Sequence, residues 1–341
     1  MSRRLEFTID TKWAGMSVRE FLKSELFFSG HQISRLKFQE DGLRISGEKV
    51  YVSHVLREGE VLTVGLTEQV LRRDTEGGKP GRVWEAPAPE LARFPLQVLY
   101  EDEDLLIVNK PAGLVCHPSP GHYNDTLANQ AAAHLGGTGT VMDMRVTGRL
   151  DRETSGIVTF AKNTEAAAGI QKQRADGRLV KIYLALAEGD FAEDRGVVDF
   201  PLRRESPGSH RMVCAADGKA AGTFYRVLER RTGPDGAPRT LLACRIEHGR
   251  THQIRVHMAK IGHPLVGDPL YGIGRARSCT EDGEQPKEMT ENSGSPGQEK
   301  MGLHAYRLSL FRPFDGGKIE ITAKAPEWAG AVTGPIPGRK P

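Results

Sequence analysis

Between residues 105 and 246 the apolar positions fall in short runs bounded by turns, and this pattern restricts the fold more than any other feature. The stretch Val180-Lys181-Ile182-Tyr183-Leu184-Ala185-Leu186 alternates strictly, so Lys181, Tyr183 and Ala185 share one strand face and Ile182, Leu184 and Leu186 the other. Residues 105–108 and 157–161 read as compact buried strands, and 197–200, 222–228 and 241–246 as further ones. Runs this short are strand length rather than helix length. The expectation is an α+β fold with a large, mixed, mainly antiparallel central sheet flanked by helices and loops.

The 341 residues are enough for about two domains with cores of their own. Residues 1–66 have a separate logic. Ser17 and Glu20 fit a capping box ahead of Val18, Phe21, Leu22 and Leu26, a second short helix follows Ser29-Gly30, and short strands follow around 43–45, 49–50 and 61–64. Residues 67–90 are polar and rich in Gly and Pro, a linker composition. Residues 91–341 form the second domain, interrupted by an apolar-poor stretch at 273–300 that reads as a disordered insertion.

Hydrophobic content of 38% and charged content of 27% are ordinary for a soluble globular chain, and a net charge of +3 does not by itself single out nucleic acid. The four cysteines form no CxxC pair, which argues against a zinc knuckle and a disulfide framework and for free thiols in a reducing cytoplasm. No apolar run reaches membrane-span length, and the first ten residues lack the apolar core of a signal peptide, so the expected location is cytoplasmic.

Chemistry concentrates around Asp151, which sits between Arg149 and Arg152 and is followed by Thr154-Ser155-Gly156 and a strand. A carboxylate near guanidinium groups stays ionised well below neutral pH, which suits a nucleophile or base; the plain alternative is a surface ion pair. Four other strings stand in fixed order around it. Lys110-Pro111-Ala112-Gly113 precedes it, Lys181-x-Tyr183 follows, and Gly249-Arg250-Thr251-His252-Gln253-Ile254-Arg255-Val256-His257-Met258 comes later, with Gly267-Asp268-Pro269-Leu270-Tyr271-Gly272 behind that. Thr251 is the expected cap of a helix on which Ile254, Met258 and Ile261 share a face, closed by Gly262.

In this order the five strings resemble the RluA-like RNA pseudouridine synthases, and residues 1–66 resemble an S4-type RNA-binding domain. One letter departs: Gly148 stands where the most frequent signature, His-Arg-Leu-Asp, has His. The resemblance implies isomerisation of specific uridines in structured RNA, with ribosomal RNA of the large subunit favoured over transfer RNA. The N1–C1' bond breaks, the uracil turns over and C5 bonds to C1', a redox-neutral exchange that calls for neither metal nor cofactor. Asp151 is the implied catalyst at C1' or C2'. Arg255 is implied to hold it through a salt bridge, for which a planar guanidinium offers two parallel bonds. Tyr183 is implied to stack on the target base and act in the final deprotonation. Arg149, Lys181, Arg250, Thr251, His252 and Gln253 are the implied substrate contacts, Arg149 entering the space left by the flipped nucleotide, and Arg35, Lys37 and Arg44 the RNA contacts of the N-terminal domain. A monomer with RNA as its only partner is expected.

Three rival readings use the same residues. His248 and His252 have the spacing of a helical zinc pair, but Gly249 replaces the needed Glu and interrupts a helix. A retaining glycosidase needs a second carboxyl, for which only Glu153 is close in sequence. A catalytically silent RNA-binding protein would not keep Asp151, Tyr183 and Arg255 together.

Overall fold

The computed structural model describes residues 3–66, 82–139, 141–142, 144–272 and 299–332. Most of the proposed linker and nearly all of the 273–300 stretch lie outside the described residues.

The chain opens with strand β1 (Arg3–Thr8), helices α1 (Val18–Ser24) and α2 (Gly30–Phe38), and strands β2 (Leu43–Ile45), β3 (Glu48–Lys49) and β4 (Val61–Leu66). Both helices start in capping boxes, Ser17 with Glu20 and Ser29 with Gln32. Val18, Phe21, Leu22, Leu26, Ile33 and Leu36 are buried, as their helical spacing predicts, against a sheet ordered β1-β4-β2-β3. Strand β1 is an addition to the elements expected from sequence. Its Leu5 and Phe7 do alternate with polar residues, but the strand is completed by residues 61–66, far along the chain.

The second region contains β5 (Arg82–Val83), β6 (Gln97–Glu101), β7 (Leu105–Lys110), α3 (Leu127–His134), β8 (Val141–Met142), β9 (Arg145–Val146), β10 (Ser155–Ala161) and α4 (Thr164–Ala175). Then follow β11 (Val180–Glu188), β12 (Arg195–Asp199), β13 (Leu202–Arg204), β14 (Met212–Cys214), β15 (Gly222–Thr232), β16 (Pro238–Glu247), α5 (Gln253–Lys260), β17 (Leu303–Phe311) and β18 (Lys318–Thr322). The central sheet runs β12-β15-β16-β11-β17-β10-β7-β6, with β18 added on β17 and β9 on β10. All its pairings are antiparallel except β10 with β17, so the expected mixed, mainly antiparallel α+β fold is present.

The two faces of β11 separate as the alternation requires: Tyr183 and Ala185 enter the large core, while Leu184 and Leu186 enter a second cluster with Leu241. At the parallel junction Gly156 has φ +109°, and a Cβ there would stand 2.2 Å from the Ala305 carbonyl oxygen. Only glycine allows that approach.

One expectation on domain layout changes. Residues 82–90 are folded rather than a loose linker: β5 pairs with β8, and Trp84 is buried. The N-terminal region is docked on α4, where Lys172 donates to the Ser24 carbonyl at 3.1 Å and places its ammonium 4.8 Å from the Phe27 ring centre, and Gln32 bonds buried Glu165.

Candidate active site

Asp151 sits in the loop between β9 and β10, and the Lys110-Pro111-Ala112-Gly113 turn fixes that loop. Lys110 is fully buried. Its ammonium donates to the carbonyls of Pro111 at 2.9 Å, Leu114 at 2.8 Å and Arg152 at 2.9 Å. Gly113 N–H also reaches the Arg152 carbonyl at 2.9 Å, Arg152 Nε returns to the Gly113 carbonyl at 3.3 Å, and Leu150 N–H meets Cys116 Sγ at 3.4 Å. Burial pushes the Lys110 ammonium down to about 8, against the opposing pull of Cys116, Glu153 and Asp151. The turn is therefore the clamp on the carboxylate loop.

The guanidinium that meets Asp151 is Arg255, as the resemblance implied, but its bonding differs from expectation. Arg255 Nη1 makes a single contact of 3.2 Å to Asp151 Oδ2. The two parallel bonds go to Asp268, Nε to Oδ2 at 2.8 Å and Nη2 to Oδ1 at 2.9 Å. The Asp268 side chain is completely buried and also accepts from Leu270 N–H and Tyr271 N–H at 2.8 and 3.0 Å. Burial alone would raise the Asp268 carboxyl; Arg255 and the two amides outweigh it and hold it below its usual range. Burial works against the charge on Arg255 in the same way, and Asp268 and Asp151 reverse it, leaving the guanidinium raised. In the sequence Asp268 stands out only as a motif letter; the signal that could have singled it out is an acid directly behind a buried-helix arginine.

His252 is the N-cap of α5, not Thr251, and adopts left-handed backbone at φ 53°. Its Nε2 lies 3.9 Å from Asp151 Oδ2 and its Nδ1 3.0 Å from the Tyr271 hydroxyl. That hydroxyl accepts from Met212 N–H at 2.8 Å; with its own proton directed to Nδ1, the neutral imidazole carries its proton on Nε2, toward Asp151. Burial lowers the His252 imidazole, with Asp151 opposing. His248, Gly249 and His252 all have positive φ, so no helix carries two imidazoles to one face, and no metal-binding group of His, Cys, Asp or Glu occurs among the described residues. Glu153 points to Arg152, at 3.7 Å.

The cleft is lined by Arg149, Leu150, Asp151, Thr154, Tyr183, Arg250, His252, Gln253 and Arg255, with Ile246, Gly249, Ile254 and Leu303. Tyr183 is buried, and burial raises its phenol. Arg149 is exposed at the rim. Gln253 lines the cleft, but its side chain is taken up by Gly222 O, Thr223 Oγ1, Glu247 O and Arg250 N–H, which marks it as scaffold. Arg250 Nε donates to Ala220 O at 3.0 Å. Thr251 is exposed and, like Lys181, is not among the cleft-lining residues. In the N-terminal region Lys37 is exposed, whereas Arg44 is held by Asp41 at 2.8 Å and donates to Gly47 O at 2.8 Å.

A model of the RNA pseudouridylate synthase family matches residues 104–260, which carry the clamp, Asp151, Tyr183 and Arg255. A ribosomal large subunit pseudouridine synthase D from Zymomonas mobilis is 38% identical over 240 residues, 69% of this chain and 70% of that protein. The chain belongs to the RNA pseudouridine synthase family. The synthase is also 35% identical over 308 residues to a ribosomal large subunit pseudouridine synthase D from Xanthomonas campestris, covering 89% of this chain and 84% of the relative. Among solved structures, human RNA pseudouridylate synthase domain containing 1 superposes with a TM-score of 0.51 at 29% identity, over 68% of the synthase and 84% of that chain. No helix among the described residues of the synthase is long and apolar enough to cross a membrane.

Proposed function

We propose that this synthase isomerises uridines of large-subunit ribosomal RNA to pseudouridine, with Asp151 as the group that acts at C1' or C2' of a flipped nucleotide. The observation that carries the assignment of Asp151 is its contact with Arg255, itself locked by a buried carboxylate, in a cleft shared with Tyr183. The rRNA target is supported by the named function of the relatives from Zymomonas mobilis and Xanthomonas campestris.

Asp151 needs its charge and its aim. Arg255 supplies the aim through one bond, while His252 Nε2 stands 3.9 Å from the same oxygen. Tyr183 offers a ring for the uracil to lie against and a hydroxyl near the path of the C5 proton. As the glycosidic bond breaks, its electron pair stays with the uracil ring; when C5 bonds to C1', the C5 proton leaves and N1 gains one, so composition is unchanged. Flipping costs a few kcal/mol in a duplex and less in a loop, and an aromatic stack returns ~1–3 kcal/mol, which favours loop uridines. Residues 1–66 act as the second hold on RNA through Arg35 and Lys37, with Phe38 exposed next to Lys37 and Tyr51 exposed further along.

The test is Asp151→Asn. Tritium release from RNA containing 5-tritiated uridine should vanish while RNA affinity is kept, and full turnover would sink the assignment. Mapping pseudouridines in total RNA with and without the gene decides between ribosomal and transfer RNA.

A further inference from the structure

Gly148, the departure from the frequent family signature, leaves a space that is filled from elsewhere in the chain. A Cβ at 148 would stand 2.6 Å from Arg174 Nη2 and 4.0 Å from Lys181 Nζ. Arg174 comes from the last turn of α4 and donates to the Thr147 carbonyl. Lys181 comes from the start of β11, donates to the Ile157 carbonyl at 2.7 Å, and places Nζ 5.9 Å from the Tyr183 ring centre. Two cations thus converge on one backbone notch.

Their charge is uncompensated. Neither side chain has a carboxylate within ion-pair distance among the described residues. Each uses one N–H on a backbone carbonyl, although a guanidinium carries five and an ammonium three. Both residues keep part of their surface exposed, and the Arg174 guanidinium is the more open of the two charged groups. Burial, with Arg174 adding to it, pushes the Lys181 ammonium down to about 7, which an anion in the notch would reverse. The notch adjoins exposed Arg149 but does not line the cleft that holds Asp151 and Tyr183. An anion there lies beside the uracil site rather than in it.

We propose that Gly148, Arg174 and Lys181 form a seat for one backbone phosphate of the RNA, flanking the flipped uridine. The proposal rests on the reading of Asp151 as the uridine site. The seat aligns the nucleotide chain while Arg149 occupies the vacated stack, and the glycine is required because any side chain at 148 displaces the guanidinium.

Full-length protein is assayed for tritium release and for RNA affinity across a salt series. Arg174→Gln should raise KM roughly tenfold, the loss of one charge-assisted contact, with kcat held within about twofold. The slope of log affinity against log salt should shrink by ~0.7. Gly148→Ala removes no charge and requires no left-handed backbone, yet should weaken binding in the same direction by expelling the flexible end of Arg174. A methylphosphonate at one phosphate flanking the target uridine should weaken the wild type and leave Arg174→Gln indifferent. Unchanged KM and salt slope would overturn the seat, as would a loss confined to kcat with a primary isotope effect at C5, which would tie the cations to Tyr183. Absence of tritium release by the wild type would instead strike the uridine-site reading, and the salt slopes would still judge the phosphate seat.

Discussion

Replacing Asp268 by Asn should damage this protein more than replacing Asp151, the proposed catalytic carboxylate. Arg255 is almost entirely buried, and three of its N–H groups are divided two to Asp268 and one to Asp151. The amide introduced by Asp268→Asn would keep the shape and could still accept from the Leu270 and Tyr271 amides. Toward Arg255, however, it turns one bonding oxygen into an NH2 donor facing a donor, and it removes the charge that neutralises a buried cation. Breaking a buried ion pair from one side costs ~3–5 kcal/mol, and since Asn preserves one acceptor the lower end, about 3 kcal/mol, is expected. Asp151→Asn removes a single 3.2 Å bond at a side chain that is 27% exposed, which places it at ~1 kcal/mol or below. The same argument reaches catalysis, because Asp151 is aimed through Arg255. A displacement of about 1 Å in that guanidinium is worth about a hundredfold in rate. Urea unfolding of the two variants, with single-turnover tritium release for Asp268→Asn, tests the ordering. An Asp151→Asn variant less stable than Asp268→Asn, or wild-type turnover by Asp268→Asn, would refute the view that Asp268 is the primary partner of Arg255.

Tyr183→Phe should retain RNA affinity within a few-fold, since the ring remains, while product formation falls by at least about a hundredfold; equal rates would remove the hydroxyl from the chemistry. Gly156→Ala should lose more than ~3 kcal/mol in urea unfolding, because the added carbon meets the Ala305 backbone at 2.2 Å and neither strand can yield; a neutral effect would contradict the β10–β17 register. His304, buried with Nδ1 2.8 Å from Ser155 Oγ and Nε2 without a partner among the described residues, has its imidazole pushed by burial down to about 4. The unfolded imidazole protonates near 6.5 and the folded one near 4, so the unfolded chain binds the extra proton in that window and stability falls as pH drops through it, by up to roughly 3 kcal/mol. Urea midpoints between pH 7 and 5 should therefore fall more steeply in the wild type than in His304→Gln, and parallel curves would exclude His304 as the source.

Local chemistry and long-range geometry are legible in the sequence to different degrees. The helices at 18–24 and 30–38 can be read because their start signals are complete within four residues, and the strands of the central sheet because alternation at 180–186 and short apolar runs elsewhere are properties of the strand itself. Strand β1 escapes such a reading because its partner is residues 61–66, and the fold of residues 82–90 because Trp84 is buried by contacts made far along the chain. Side-chain preference favours Thr251 as a cap, yet the left-handed conformation of His252 starts the helix, which is what turns Nε2 toward Asp151. The pairing of Asp151 with Arg255 follows from resemblance. No spacing rule could reveal that Asp268 would take the two parallel bonds, because an arginine with several fork-facing N–H groups can serve two carboxylates and only burial decides which is served twice. Asp268 is fully enclosed and cannot exchange its partner for water; Asp151 faces the cleft and can. A guanidinium shared in this way holds Asp151 by one bond to Oδ2, which orients the proposed catalytic carboxylate without sealing off its second oxygen.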